Sequence, residues 1–230
     1  VTVTSSASKT VDDNRKSLSN TVKSYKKHVI ICTSFDWPSA VEKIFPISEL
    51  LNSINKVKEL ANESNQEVLS IKLTACQYPE PPNPTYMNVI VYPDNCMYQI
   101  HKLRMDDFAY LLLLDTKPRV KSLTINPLSW KKLILICIHQ ARDKRCGAKG
   151  PEIFQEFQNQ LKQRHIPSDQ IQVLGSTHLG GHEFAGTMIV YPECDWYGYI
   201  DVDMVSELLT HIINGTRLVR CWRGNPKLSW

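Results

Sequence analysis

The sequence has no apolar run approaching the roughly 20 residues that a membrane-spanning helix needs, so we expect a soluble protein with no membrane partner. None of its seven cysteines belongs to a Cys-x-x-Cys pair, which argues against an ordinary disulfide oxidoreductase. The odd, irregularly spaced set also argues against a secreted scaffold held by disulfides. A formal net charge of +4 is too small to indicate nucleic-acid binding.

These absences favour a reducing compartment, in which cysteines are core residues, ligands or catalysts. Residues 1–26 are rich in Ser, Thr, Lys and Asn, and we expect a flexible N-terminal segment there. This segment has no apolar signal region, and its two aspartates are unlike a transit peptide. A cytoplasmic location is therefore predicted, with a mitochondrial one as the alternative.

The two halves of the chain have the same predicted order of elements. In the first half, apolar periodicity and turn residues predict strands at 28–34, 68–74, 87–93 and 97–103 and helices at 47–62 and 105–114. In the second half, they predict strands at 132–139 and 171–177 and a helix at 150–165. Residues 187–215 then match 87–115 element for element, including a shared Val-Tyr-Pro.

This repeat predicts an α/β protein made of two tandem thioredoxin-like domains, each with the order β-α-β-β-β-α. The second domain is expected to carry the chemistry, because Cys146, His178 and His182 have no counterparts in the first, where only Cys32 aligns with Cys137. The predicted bounds are a flexible segment at 1–26, a degenerate scaffold domain at 27–115, a linker at 116–130, and the site-bearing domain with its C-terminal tail at 131–230.

Two thiols and two imidazoles stand out in the second half: Cys137 and Cys146, with eight residues between them, and His178 and His182 around two glycines. The glycines permit positive φ, so a five-residue turn can bring both imidazoles together. A Cys2His2 zinc site that stabilises an interaction module is one interpretation, although structural zinc sites usually space their cysteines two to four residues apart. A thiol–disulfide enzyme that uses Cys137 and Cys146 is another. A Cys-His hydrolase is less favoured, because no orienting third residue is identifiable.

The remaining cysteines and several histidines are interpreted as structural rather than as ligands. Buried cysteines commonly behave as small apolar residues. The residues in this group are Cys32, Cys76, Cys96, Cys194, Cys221, His28, His165 and His211.

The residues around these thiols and imidazoles resemble those of a known protein family. Cys137-x8-Cys146, with "RDKRCG" at 142–147, and the histidine pair, with "GGHEFAG" at 180–186, are similar to the signature of the thioredoxin-like ferredoxin family, also called sucrase/ferredoxin-like. The resemblance covers roughly residues 130–230, and "CWRG" at 221–224 adds a weaker match. It implies a [2Fe–2S] cluster with Cys137 and Cys146 on one iron and His178 and His182 on the other. The implied function is electron transfer in redox homeostasis, by a carrier rather than an enzyme.

Two neutral imidazoles in place of thiolates would make such a cluster easier to reduce. Rieske centres, which have the same ligand types, have potentials of about −150 to +300 mV, against about −400 mV for plant-type ferredoxins. The free N–H of each ligating imidazole would couple proton transfer to the one-electron step. The chain is not expected to be a Rieske protein, because Rieske sites alternate cysteine and histidine within each loop.

Partners are predicted from charge and from the last three residues. Arg142, Lys144, Arg145 and Lys149 could steer an acidic redox partner. The final tripeptide, Leu228-Ser229-Trp230, resembles the signal by which cytosolic iron–sulfur proteins are recognised by the targeting complex of the cytosolic assembly machinery. No flavin or nicotinamide fingerprint is present, so the electron donor and acceptor stay unidentified.

Overall fold

The described residues, 16–34, 36–114 and 123–226 of a computed structural model, form four helices and ten strands. The strands are β1 Lys27–Thr33, β2 Ile71–Gln77, β3 Tyr86–Tyr92, β4 Cys96–His101, β5 Leu123–Pro127, β6 Lys132–Cys137, β7 Ile171–Ser176, β8 Met188–Tyr191, β9 Asp195–Tyr197 and β10 Trp222–Gly224. The helices are α1 Ile47–Glu63, α2 Met105–Leu114, α3 Lys144–Gln163 and α4 Val205–Ile213. The predicted α/β class is confirmed.

All ten strands belong to one sheet, in the order β10-β9-β8-β6-β7-β2-β1-β3-β4-β5. The elements β1-α1-β2-β3-β4-α2 and β6-α3-β7-β8-β9-α4 have the same order, as the sequence repeat predicts. The two halves meet at β2 and β7, which pair antiparallel with Cys76 opposite Ser176. The proposed division into two domains therefore lies within one continuous sheet.

Two edge strands were not predicted. Strand β5 lies within the segment that we predicted as a linker, where it pairs antiparallel with β4, and residues 115–122 lie outside the described part. Strand β10 lies in the predicted tail and pairs with β9. Both strands are short, and their sequences alone show no strand periodicity because their pairing depends on a neighbour that is already in place.

Helix α3 begins six residues before its predicted start. We placed Pro151 in the first turn because a proline inside a helix removes one hydrogen bond. In the structure, Asp143 caps the helix by accepting a hydrogen bond of 2.9 Å from the Arg145 N–H, and Pro151 lies two turns further in. Cys146 therefore lies in the first turn of a helix rather than after a loop.

Alternating side chains divide the core into three clusters. On β6, Ile134 and Ile136 pack under α3 and α4, whereas Leu133, Leu135 and Cys137 face a cluster that both halves share. This shared core includes Tyr92 of β3 and Tyr191 of β8, whose rings are stacked. Because β3 and β8 are five strand steps apart in the sheet, or about 24 Å if the sheet were flat, the sheet must curl around the shared core.

Among the described helices, none combines the length and hydropathy needed to cross a bilayer.

Candidate metal centre

Parallel pairing brings the cysteine and histidine segments to the same end of two neighbouring strands. Strands β6 and β7 are parallel neighbours, with Cys137 opposite Ser176 at their carboxyl ends. The histidine loop, residues 178–182, directly follows β7. Cys137 ends β6 on the face of the shared core, where only 2% of its surface is exposed.

Helix α3 brings Cys146 back to the end of β6. Its second turn packs so closely on the strand that a Cβ on Gly150 would lie 2.2 Å from the Cys137 carbonyl oxygen. Glycine is therefore required at position 150 for this approach. Cys146 is 1% exposed, and the two sulfurs are not joined by a disulfide.

The histidine loop has the glycine conformations that its sequence predicts. Gly180 and Gly181 have φ of 97° and 72°, a region that disfavours side chains. The rings of His178 and His182 lie with their centroids 5.6 Å apart. The side chain of His182 is 49% exposed, and its Nδ1 lies 3.7 Å from Oδ2 of Asp143.

Three of the four predicted site residues form a compact group. One ligand atom from each of Cys137, Cys146 and His178 lies within 4.8 Å of the others. His182 is outside that group, although its ring is next to that of His178. The Nδ1 atom of His178 is buried with no hydrogen-bond partner among the described residues. Since buried polar atoms normally have a partner, this nitrogen fits a site that a bound group completes.

The two thiols differ in acidity. A hydrogen bond from Cys146, followed by contacts with His178 and the backbone N–H groups of Leu179 and His139, holds the pKa of Cys137 well below its usual range despite its burial. The same hydrogen bond to Cys137, together with burial, raises the pKa of Cys146. A thiolate is therefore favoured at Cys137, and a thiolate is the form that ligates metals.

His139 supports the site and was not predicted from the sequence to do so. Its Nε2 donates to the Pro38 carbonyl at 2.9 Å, so that Nδ1 accepts from the His178 N–H at 3.3 Å. Its ring also contacts the edge of Trp37. The first half of the chain thereby orients the backbone of His178 through this imidazole.

Lys72 and Arg223 hold the rest of the histidine loop. Lys72 of β2 donates to the Leu179 carbonyl at 2.7 Å, and Arg223 of β10 donates to the Gly180 carbonyl at 3.2 Å. The Arg223 guanidinium lies over the rings of Phe184 and Trp196. A Cβ on Gly181 would lie 2.3 Å from Nη2 of Arg223, so the second glycine is required for this contact. The "CWRG" resemblance was the only sequence signal for Arg223.

The residues interpreted as structural lie away from the centre or in the core. Cys32 and Cys76 face each other on β1 and β2, and the hydrogen bond between them raises the pKa of the buried Cys32. His28 is fully buried, where it contacts Thr74 and the Tyr191 hydroxyl. His211 contacts Thr216, and Cys96 is half-buried.

The basic residues near the site are mostly engaged within the chain. Arg145 pairs with Asp143 at 2.8 Å, and Lys149 pairs with Asp201. Arg142 donates to the Ser39 carbonyl at 3.2 Å. Lys144 is exposed. The predicted tripeptide at residues 228–230 lies outside the described residues.

The donor set fits an iron–sulfur cluster with mixed ligands. Two sulfurs and two imidazoles are the ligands of [2Fe–2S] centres in which two histidines replace two cysteines. Backbone N–H groups at the Cys137 sulfur are a further feature of such sites, since hydrogen bonds to ligating sulfurs tune the potential.

Comparison with known proteins places the site in context. A sequence model described as sucrase/ferredoxin-like matches residues 18–224. "Altered inheritance of mitochondria protein 32" of Debaryomyces hansenii is 25% identical over 90% of this chain and 85% of that protein. "Actin patches distal protein 1" of Saccharomyces cerevisiae is 27% identical over 44% of this chain and 34% of that protein.

Solved structures with some similarity include the wild-type thioredoxin-like [2Fe–2S] ferredoxin from Aquifex aeolicus. That chain is 17% identical, with a TM-score of 0.38, and the match covers 42% of this chain and 99% of the ferredoxin.

Proposed function

The chain belongs to the sucrase/ferredoxin-like family, and on that premise we propose that it is an electron-transfer protein that holds a [2Fe–2S] cluster with Cys137, Cys146, His178 and His182. The observation that carries this proposal is that two buried thiols and two imidazoles converge at the carboxyl ends of β6 and β7. Within this group, Nδ1 of His178 has no hydrogen-bond partner among the described residues. A bound cluster of this ligand type supplies one-electron chemistry at a higher potential than a four-thiolate cluster.

The protein would present the histidine side of the site to its surroundings. Cys137 and Cys146 are almost fully buried, whereas the side chain of His182 is 49% exposed. Electron exchange with a partner, and proton exchange at the imidazole N–H, would therefore take place at His182. This asymmetry supports one-electron chemistry that is coupled to a proton.

The wider assignments remain proposals of the same kind. We propose two tandem thioredoxin-like domains, the first acting as a scaffold whose residues Pro38 and Lys72 support the histidine loop. We also propose a cytoplasmic role in redox homeostasis and delivery to the assembly targeting complex through Leu228-Ser229-Trp230. An acidic redox partner would meet Lys144, which is exposed on the first turn of α3.

A thiol–disulfide enzyme is the second candidate, because the pKa of Cys137 is low and Cys146 is its neighbour. Reactive thiols are usually partly exposed, however, and these two are 2% and 1% exposed. Their burial favours ligation over exchange with a substrate disulfide. A zinc site that uses the compact group of three is the remaining alternative.

Metal and sulfide analysis separates the three. Protein purified without oxygen should be red-brown and contain equal amounts of iron and acid-labile sulfide, with an electron paramagnetic resonance signal after reduction. A colourless protein with zinc would support the interaction module, and a colourless protein without metal would support the thiol enzyme. Cys137→Ser, which removes a proposed ligand, should lose iron and sulfide. Cys96→Ser is its matched control and should keep both, because Cys96 is a half-buried thiol outside the site.

A further inference from the structure

A cavity of about 450 Å³ lies against the histidine loop, where Leu179, Gly180 and Gly181 form part of its wall. Its wall includes Thr21, Lys23, Lys72, Gly181, Trp196 and Arg223. We call it the cationic cavity. Its volume is within the range of about 300–1,000 Å³ that is usual for small-molecule sites.

Among the residues that the structure describes, three cations and no acid line the cationic cavity. Lys72 and Arg223 have no ion-pair partner in the part of the chain that the structure describes, and Lys23 is exposed at the mouth. Glu183 is the acid whose charge acts on Arg223, but it is exposed and makes no ion pair with it. Positive charge is therefore concentrated here, and among the described residues only the more distant charges of Cys137, on Lys72, and Glu183, on Arg223, oppose it.

The half-buried Lys72 and the buried Arg223 both have N–H donors without an acceptor within the described ranges. The Lys72 ammonium has three N–H groups, and Leu179 accepts one of them. The Arg223 guanidinium has five N–H groups, and its bonds to Thr21 and Gly180 account for three. The remaining donors have no acceptor among the described residues, which is costly for buried charged groups.

The pKa values of Lys72 and Arg223 reflect the same shortage of negative charge and of acceptors. Burial and the nearby Arg223 charge lower the pKa of Lys72 to about 8. Burial also lowers the pKa of Arg223 to about 10. An anion would reverse both effects, because it satisfies the donors and neutralises the charge.

We propose that the cationic cavity is a binding site for a small anion, carboxylate or phosphate, held by the free N–H groups of Lys72 and Arg223 with Lys23 at the entrance. The Thr21 hydroxyl and the Trp196 ring complete the wall. This site shares the histidine loop with the metal centre but does not depend on the proposed electron transfer. The shared chemistry of its ligands is a compact negative charge with several acceptor oxygens.

Isothermal titration calorimetry of the purified protein tests the proposal, with inorganic phosphate and succinate as probes at constant ionic strength. Saturable binding of one ion per chain is expected for at least one probe, and the stronger probe identifies phosphate or carboxylate as the preferred group. Lys72→Met should weaken binding about tenfold or more, because it removes a charge-assisted hydrogen bond. Lys23→Met should weaken it less, because Lys23 is exposed.

Lys58→Met is the matched control, since it removes the same charge from an exposed position on α1. It should leave binding unchanged. The proposal is overturned if neither probe binds saturably at millimolar concentration, or if all three variants bind like the wild type. If Lys72→Met does not fold, Lys23→Met decides, and unchanged binding in that variant also overturns the proposal.

Discussion

The rings of Tyr92 and Tyr191 are stacked, with centroids 3.9 Å and planes 11° apart. They occupy the same position in the two copies of Val-Tyr-Pro. The Tyr92 hydroxyl accepts a hydrogen bond of 3.3 Å from Trp130, and the Tyr191 hydroxyl contacts His28 of the other half. Equivalent residues of the two halves thus meet in one core, and the same core contains Cys137 and Cys146.

The ligand assignment predicts separate outcomes for the histidines. His178→Ala or His182→Ala should lose the cluster or retain it poorly, because a ligand is removed from one iron. His165→Ala and His211→Ala should keep the wild-type visible spectrum, since both residues lie outside the centre. The measurement is iron content with the visible spectrum after anaerobic purification. A normal spectrum in His178→Ala would contradict the assignment.

The proton coupling predicts a potential that depends on pH. Reduction adds negative charge beside the imidazoles and favours protonated N–H groups. Where one proton is taken up with the electron, the midpoint potential should fall by about 59 mV per pH unit. Protein-film voltammetry from neutral to alkaline pH measures this slope, and His182→Cys should reduce it while also lowering the potential. A potential that is flat throughout would exclude the coupling.

The proposed scaffold role of the first half predicts that Cys32→Ser costs stability without affecting the proposed cluster. Cys32 is buried beside Cys76, and serine puts a more polar hydroxyl in the core in place of the thiol, which should lower the free energy of unfolding by about 1 kcal/mol or more. The iron content should equal that of the wild type. Denaturant unfolding and iron analysis on one preparation test both statements, and lost iron would extend the site into the first half.

The contact between Arg223 and the histidine loop predicts that Gly181→Ala has two effects. A side chain at φ of 72° costs about 1 kcal/mol, and its Cβ would also displace Arg223. Gly215→Ala is the matched control, because Gly215 has φ of 66° with open space around it. Both variants should melt at lower temperature, but only Gly181→Ala should lose the cluster faster in the presence of a chelator. Equal cluster lifetimes would refute the role of this contact.

The low pKa of Lys72 predicts how stability changes with pH. The folded pKa of about 8 lies below the unfolded value near 10.4, so the unfolded chain binds more protons between these limits. The penalty for burying the charge is therefore fully present below pH 8 and is relieved as pH rises towards 10. Relative to Lys72→Met, the wild type should gain on the order of 1 kcal/mol of unfolding free energy from pH 7.5 to 9.5. Urea denaturation of both proteins measures this difference, and parallel pH profiles would contradict it.

Local sequence patterns predicted the elements whose signals lie within the element itself or recur in both halves of the chain. Helix α2 has the predicted bounds, Met105–Leu114, because its apolar residues and its acidic first turn are local signals. The positive φ of Gly180 and Gly181 was likewise predictable from residue type. The predicted start of α3 was wrong, because the cap at Asp143 outweighs Pro151 as a boundary signal.

The supporting residues of the site could not be predicted in the same way. Lys72 is 107 positions from Leu179, and Arg223 is 43 positions from Gly180. Such contacts depend on strand order in the curled sheet, which the repeat does not specify. His139 lay inside the stretch that contains both cysteines, but its partner Pro38 is in the other half, so no spacing indicated its role.

Arg223 on β10 comes after all four proposed ligands in the sequence, which sets an order of events during synthesis. The ribosome makes both cysteines and both histidines before it makes Arg223, whose guanidinium holds the Gly180 carbonyl and packs over Phe184. While the nascent chain is still attached and β10 is missing, the histidine loop lacks that clamp. The proposed cluster would therefore be held stably only once β10 has been made and has paired with β9.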